Sequence, residues 1–138
     1  MLELKGIAAA PGITIGKAFK IGKEEFVIPK LQIDEKDIST QIQLFEEALI
    51  QTRKEILDLQ KKISIDMGHE EAQIFDAHLL VLEDRMLIEE VILRLKREHL
   101  NVAYIFSEVL KKYIDVFSKV EDEYLKERTA DINDVGKR

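Results

Sequence analysis

A chain of 138 residues is long enough for one good hydrophobic core, or for one domain and a fragment of another. Its 46% apolar and 35% charged residues fit a helix-rich globular protein, and a net charge of −6 argues against a nucleic-acid backbone or an anionic membrane as partner. Cysteine is absent, which excludes disulfides, thiolate metal sites and a cysteine nucleophile, and no apolar run reaches the ~18 residues of a membrane span. With no signal-peptide core in MLELKGIAAAPG either, the expected location is the cytoplasm.

Residues 1–22, MLELKGIAAAPGITIGKAFKIG, combine Gly, Pro and alternating β-branched residues without a helical period. They predict one or two short strands with a turn at Pro11-Gly12, and a strand pair this small needs a sheet to join. Residues 23–33 read as an extended linker, because Pro29 lacks a donor and biases its predecessor away from helix.

From Asp34 the pattern changes. Asp34 is a candidate cap, with Asp37 where a capping box wants an acid. Ile38, Ile42, Phe45, Leu49, Thr52, Ile56, Leu59 and Ile63 follow at alternating steps of 4 and 3, a heptad seam that Gly68 ends. A second helix is expected over 69–84, and a third carries Ile88, Val91, Ile92 and Leu95. Asn101 is a candidate cap for a fourth, with Ile105, Phe106, Val109, Leu110, Tyr113 and Phe117. In the last, Leu125, Arg128, Ile132 and Val135 keep the period up to Val135-Gly136-Lys137-Arg138, which reads as a chain cut inside its final helix. The fold class is therefore all-α, an antiparallel helical bundle over 34–138 with a short N-terminal β arm. Residues 1–33 hold five Lys/Arg against three Asp/Glu, a net +2; residues 34–138 hold sixteen against twenty-four, a net −8. An acidic helical body favours a basic protein partner.

Sites of chemistry are hard to find. GITIGKA has the wrong glycine spacing for a phosphate loop and Ala18 where a magnesium-binding hydroxyl belongs. HEEAQ is not a zinc motif, and His69 and His78 lie roughly 180° apart around a helix, so they cannot share a metal.

The helix over 69–84 stands out for its apolar width. Ala72, Phe75, Leu79, Leu82 and Met86 form the expected core stripe. Ile74, His78 and Val81 form a second apolar edge beside it, with Glu70 and Glu71 at its N-terminal end. Together the arc spans about 180°, more than the ~100° a surface helix buries. Two readings stay open on the residues alone: a docking surface, or a helix covered on two sides with His78 an ordinary core histidine. Arg128 sits in an apolar seam, where a snorkelling stem is the plain expectation.

Three stretches also carry a family likeness. GIAAAPGITIGKA (6–18), AQIFDAHLLVLED (72–84) and DEYLKERTADINDVGKR (122–138) resemble, in order and spacing, the N-terminal region of the Enzyme I family. These are the phosphoenolpyruvate–protein phosphotransferases of the bacterial sugar phosphotransferase system. The resemblance implies a helical domain of two hairpins, inserted into a phosphohistidine domain, whose groove receives a helix of the basic carrier HPr. It places carrier contacts at Glu70, Ile74, His78, Leu80 and Val81, with Arg128 near the interface, and Glu71 joins Glu70 at the acidic end. The Gly-Gly-x-Thr-Ser-His loop that accepts phosphate in the family has no counterpart in this sequence. The implied chemistry therefore lies elsewhere in a longer parent enzyme: this chain would dock HPr beside the remainder of Enzyme I, with no cofactor of its own, no catalytic residue and no metal ligand. Magnesium would serve the full-length parent. The alternative, from a different class, is a helical adaptor that dimerises through the 38–63 seam.

Overall fold

In the computed structural model, residues 3, 5–7, 11–17 and 27–138 are described, with only the backbone at Tyr124, Leu125 and Glu127. Six α-helices follow a short 3-10 turn at Glu35–Asp37: α1 Ile38–Asp66, α2 His69–Ala72, α3 Ile74–Leu82, α4 Arg85–Glu98, α5 Val102–Ser118 and α6 Glu123–Lys137. The described parts of the expected β arm form no strand; Pro11 and Gly12 make a bend, and Ile7, Ile13 and Ile15 are fully exposed. The remainder of that arm lies outside the described residues.

The stretch expected as a linker is tied to the helices at its far end. Gln32 and Leu100 form an antiparallel bridge, Asn101 N–H donates to the Leu31 carbonyl at 2.9 Å, and Ile33 N–H donates to the His99 carbonyl at 2.9 Å. This clip changes the role of Asn101. It stands at the N-cap of α5, but its side chain accepts from Leu31 N–H at 3.0 Å and makes no cap bond, while Gln41 Oε1 accepts the first helical N–H, that of Val102, at 2.8 Å. The capping box at Asp34 does not form either, since its side chain makes no cap bond and its carbonyl accepts the Asp37 N–H.

α1 runs 29 residues and turns its seam inward. Phe45, Thr52 and Ile56 are buried, while Ile38, Ile42 and Leu49 pack against the main core. That core gathers Leu87, Val91 and Leu95 of α4, Val102, Ile105, Val109 and Leu110 of α5, and Ile132 of α6. A smaller cluster of Ile56, Leu82 and Val135 adjoins it, and Leu49 and Val81 touch both. The heptad seam is thus occupied within the chain from Ile38 to Ile56, whereas Leu59 near its end stays exposed, and the adaptor alternative loses most of the free stripe it requires.

Gly68 ends α1 as expected, at φ 132°, a conformation open to glycine. The helix expected over 69–84 is interrupted at Gln73, where Gln73 N–H reaches Glu70 and Asp76 N–H reaches Gln73 by i→i+3 bonds. Met86 is corrected as well. It belongs to α4, which Asp84 caps by accepting the Leu87 N–H at 3.1 Å, and it points outward at 73% exposure while Leu87 enters the core.

Gly136 is no stop signal. It lies inside α6 at its closest approach to α5, where an added Cβ would collide with the buried Leu110 side chain. Gly136→Ala should therefore destabilise the bundle by about 1–3 kcal/mol despite its better helix propensity. Urea melts check this, and trimming Leu110 to Ala in the same chain should lessen the penalty of the second change.

At the end of α4, Arg94 grips Glu98 through two hydrogen bonds of 2.7 and 3.1 Å, and Arg97 adds one of 3.0 Å. The bond from Arg94 holds the Glu98 carboxyl down at about 2, against a desolvation that pushes it up. A carboxyl depressed on folding stabilises the fold above its unfolded value of ~4.3, and that contribution is lost as pH falls toward 2. With both side chains about a quarter exposed, the gain should be about 1 kcal/mol at pH 6. Melts of Glu98→Gln from pH 6 to 2 should show its deficit shrinking to nothing at the acid end.

Candidate functional site

A cleft opens where α3, the start of α4, the second half of α5 and α6 come together, with a volume of about 270 Å³. Leu80 and Val81 approach it from α3, Asp84 from the α3–α4 turn, Leu87 from the first turn of α4, Tyr113 and Phe117 from α5, and Arg128 and Ile132 from α6. Its walls are mostly apolar, and ionisable groups stand at the edge. Tyr113 and Phe117, one helical turn apart, tilt toward each other with ring centroids 6.4 Å apart. Burial, and then the charges of Glu90 and Asp84, push the Tyr113 phenol above its ordinary value. Glu90 is itself held by Lys112 at 2.7 Å.

Three of the sequence-predicted residues, Leu80, Val81 and Arg128, meet in this cleft. Leu80 is 59% exposed, whereas Val81 is half-buried and packs against both core clusters. The helical offset that separates Leu80 from Val81 is bridged because α5 and α6 bring the cleft's other wall around them. Glu70 and Ile74 are exposed further back along α2 and α3, outside the cleft. Glu71 is exposed too, but its carboxylate folds back over Gly68.

His78 departs from the expected second edge. It is buried, its Nδ1 lies 3.0 Å from the Ile74 carbonyl, and its Nε2 lies 3.9 Å from both Asp131 and Asp134 of α6. The wide apolar arc of 72–84 has a structural cause: two helices cover it. On one side Gln60 of α1 donates to Asp76 at 2.7 Å and to the Ala72 carbonyl at 3.3 Å. On the other side α6 packs over His78. Ile74 alone of the second edge remains open at 59% exposure.

Sequence reasoning missed Asp84, Leu87, Tyr113, Phe117 and Ile132 as cleft residues, as well as Asp131 and Asp134. The signal for Tyr113 and Phe117 was present, since both sit on the apolar stripe of α5, but a stripe does not say where a core stops. A second apolar cavity, about 510 Å³, lies between α1, the start of α5 and the end of α6, and holds none of the predicted residues. Among the described residues no group of three or more His, Asp or Glu is arranged to hold a metal ion. No helix among them is long and apolar enough to cross a membrane.

Comparison with known proteins agrees with this architecture. Residues 5–128 match the family described as PEP-utilising enzyme, N-terminal. Over 136 residues, 99% of the chain, it is 38% identical to a phosphoenolpyruvate-protein phosphotransferase of Listeria innocua, and over its whole length it is 34% identical to the protein of that name from Bacillus subtilis. A solution structure of Enzyme I superposes with a TM-score of 0.81 at 40% identity, over 98% of this chain and 54% of that one. The chain spans about a quarter of the length of the curated relatives, 23% and 24% of these two. By a match of this extent, the chain belongs to the PEP-utilising enzyme family and corresponds to its N-terminal region.

Proposed function

We propose that this chain is the carrier-docking part of a phosphoenolpyruvate–protein phosphotransferase, and that its work is recognition of the phosphocarrier HPr. In the parent enzyme a phosphoryl group would pass from phosphoenolpyruvate to a histidine and on to the carrier. The observation that carries this reading is the convergence of Leu80, Val81 and Arg128 on one open, largely apolar cleft. Apolar walls supply affinity to a partner helix laid in the groove, while the −8 body draws a basic carrier toward it. Glu70, Glu71 and Ile74 would extend the contact along α2 and α3, with His78 beneath the contact surface. A small, partly polar interface suits a carrier that must leave after each transfer.

On this reading, residues 1–22 belong to the phosphohistidine domain of the parent, 23–33 are a linker, and 34–138 are the docking domain. The clip between Leu31–Ile33 and His99–Asn101 supports placing the linker's end there. On the same reading, the magnesium expected for the parent would be held by other parts of it. The cytoplasm is where such a carrier system would operate.

Leu80→Asp tests the cleft without touching the core, because Leu80 is largely exposed. Its melting curve should match the parent chain, while affinity for HPr, read by calorimetric titration, should fall at least tenfold. Val81→Asp is a poorer probe, since Val81 packs against both core clusters and its variant should lose stability too. Affinity of the unaltered chain should weaken as salt rises, with rim charges screened beyond about 8–10 Å. Salt-independent binding, or a Leu80→Asp variant that binds normally, would remove the cleft from the mechanism. Incubation of the 138-residue chain with labelled phosphoenolpyruvate and magnesium should leave it unlabelled; acid-labile label on any of its histidines would contradict the division of labour.

A further inference from the structure

His78 is buried where a docking residue would be exposed, and the groups around it suggest why. Its Nδ1 faces the Ile74 carbonyl at 3.0 Å, and a carbonyl can only accept, so Nδ1 carries a proton, and Nε2 attracts carboxylates only when it is protonated as well, in the imidazolium form. Its Nε2 is aimed across the α3–α6 contact, 3.9 Å from Asp131 Oδ1 and 3.9 Å from Asp134 Oδ2. The imidazole and the Asp131 carboxylate are both largely shielded, with side chains 7% and 19% exposed, while Asp134 closes the set from the solvent side at 65%. The Phe75 ring lies 5.7 Å from the imidazole and limits its tilt. Asp131 and Asp134 flank Ile132, a cleft-lining residue, and His78 stands two residues before Leu80 and three before Val81. The contact therefore joins the two helices that carry Leu80 and Val81 on one side of the cleft and Arg128 and Ile132 on the other.

We propose that His78, as an imidazolium, forms with Asp131 and Asp134 a charged latch that holds α3 against α6 and so sets the width of the docking cleft. His78 is then a positioning residue. It gives the carrier little surface, and it keeps Leu80 and Val81 at a fixed distance from Arg128 and Ile132. The cleft's floor is apolar and tolerates sliding, whereas a ring nitrogen between two carboxylates, anchored at its other nitrogen by its own helix backbone, defines one relative placement of the two helices. The importance assigned to that width rests on the docking reading above.

The test compares two ring replacements. His78→Phe keeps the ring and its packing but removes both nitrogens; His78→Gln restores an N–H donor that can face the carboxylates. If packing alone matters, Phe should behave like His and Gln should be worse. With a latch, His78→Phe should weaken HPr binding about tenfold and speed amide exchange in α3 and α6, and His78→Gln should recover most of both. Adding Asp131→Asn and Asp134→Asn to His78→Phe should change little further, because the contact is already lost; independent, additive losses would overturn the proposal. Should His78→Phe fail to fold, the Asp131→Asn/Asp134→Asn chain alone decides: faster exchange and weaker binding uphold the latch, and parental behaviour refutes it. A parental chain that does not bind HPr would sink the docking reading, and amide exchange in the same variants would then accept or reject the latch by itself.

Discussion

A short helix held between two others organises this bundle. α3 has nine residues, fewer than an isolated helix needs for stability in water, so its existence depends on the faces that α1 and α6 bury for it. α1 covers one side through Gln60 and Ile56, and α6 covers the other through Ile132 and Val135. Once α3 is held there, Leu80 and Val81 can only face the space left between α5 and α6. The cleft follows from that placement as a gap where three helices diverge.

The close contact between α5 and α6 serves the same end. With glycine at 136 and leucine at 110, α6 can approach α5 more closely than a side chain at that position would permit. The same half of α6 carries Asp131 and Asp134, which face His78 of α3, while Arg128, two turns back toward the helix start, reaches the cleft. The cleft lies beside a core in which Val91, Ile105 and Val109 are fully buried, while Leu80 at its margin is exposed.

Asn101 and Asp34 occupy cap positions, yet neither side chain caps. Asp34 pairs locally with Lys36, whereas Asn101 is engaged by Leu31 from seventy residues away, and Gln41 of α1 accepts the neighbouring Val102 N–H. A capping motif describes what a side chain can do locally; a competing partner brought by the fold decides what it does. The Arg94–Glu98 pair shows the opposite case, in which both partners lie one turn apart on one helix and local spacing suffices.

Sequence alone determined the helical period, the inward seam of α1, the stop at Gly68 and the apolar stripe of α5, because each depends on contacts within a few turns or on one residue's backbone freedom. It also carried the family likeness, through three motifs spread along the chain. The width of the apolar arc on 72–84 was legible too, but its meaning was not. Periodicity assigns residues to faces of a helix without saying which neighbour covers each face. Only the tertiary structure decided that α6 would bury His78, that Ile74 and Leu80 would stay open, and that Met86 would turn outward while Leu87 entered the core. Those outcomes depend on where helices far apart in the chain come to lie, a relation that spacing along a single helix cannot encode.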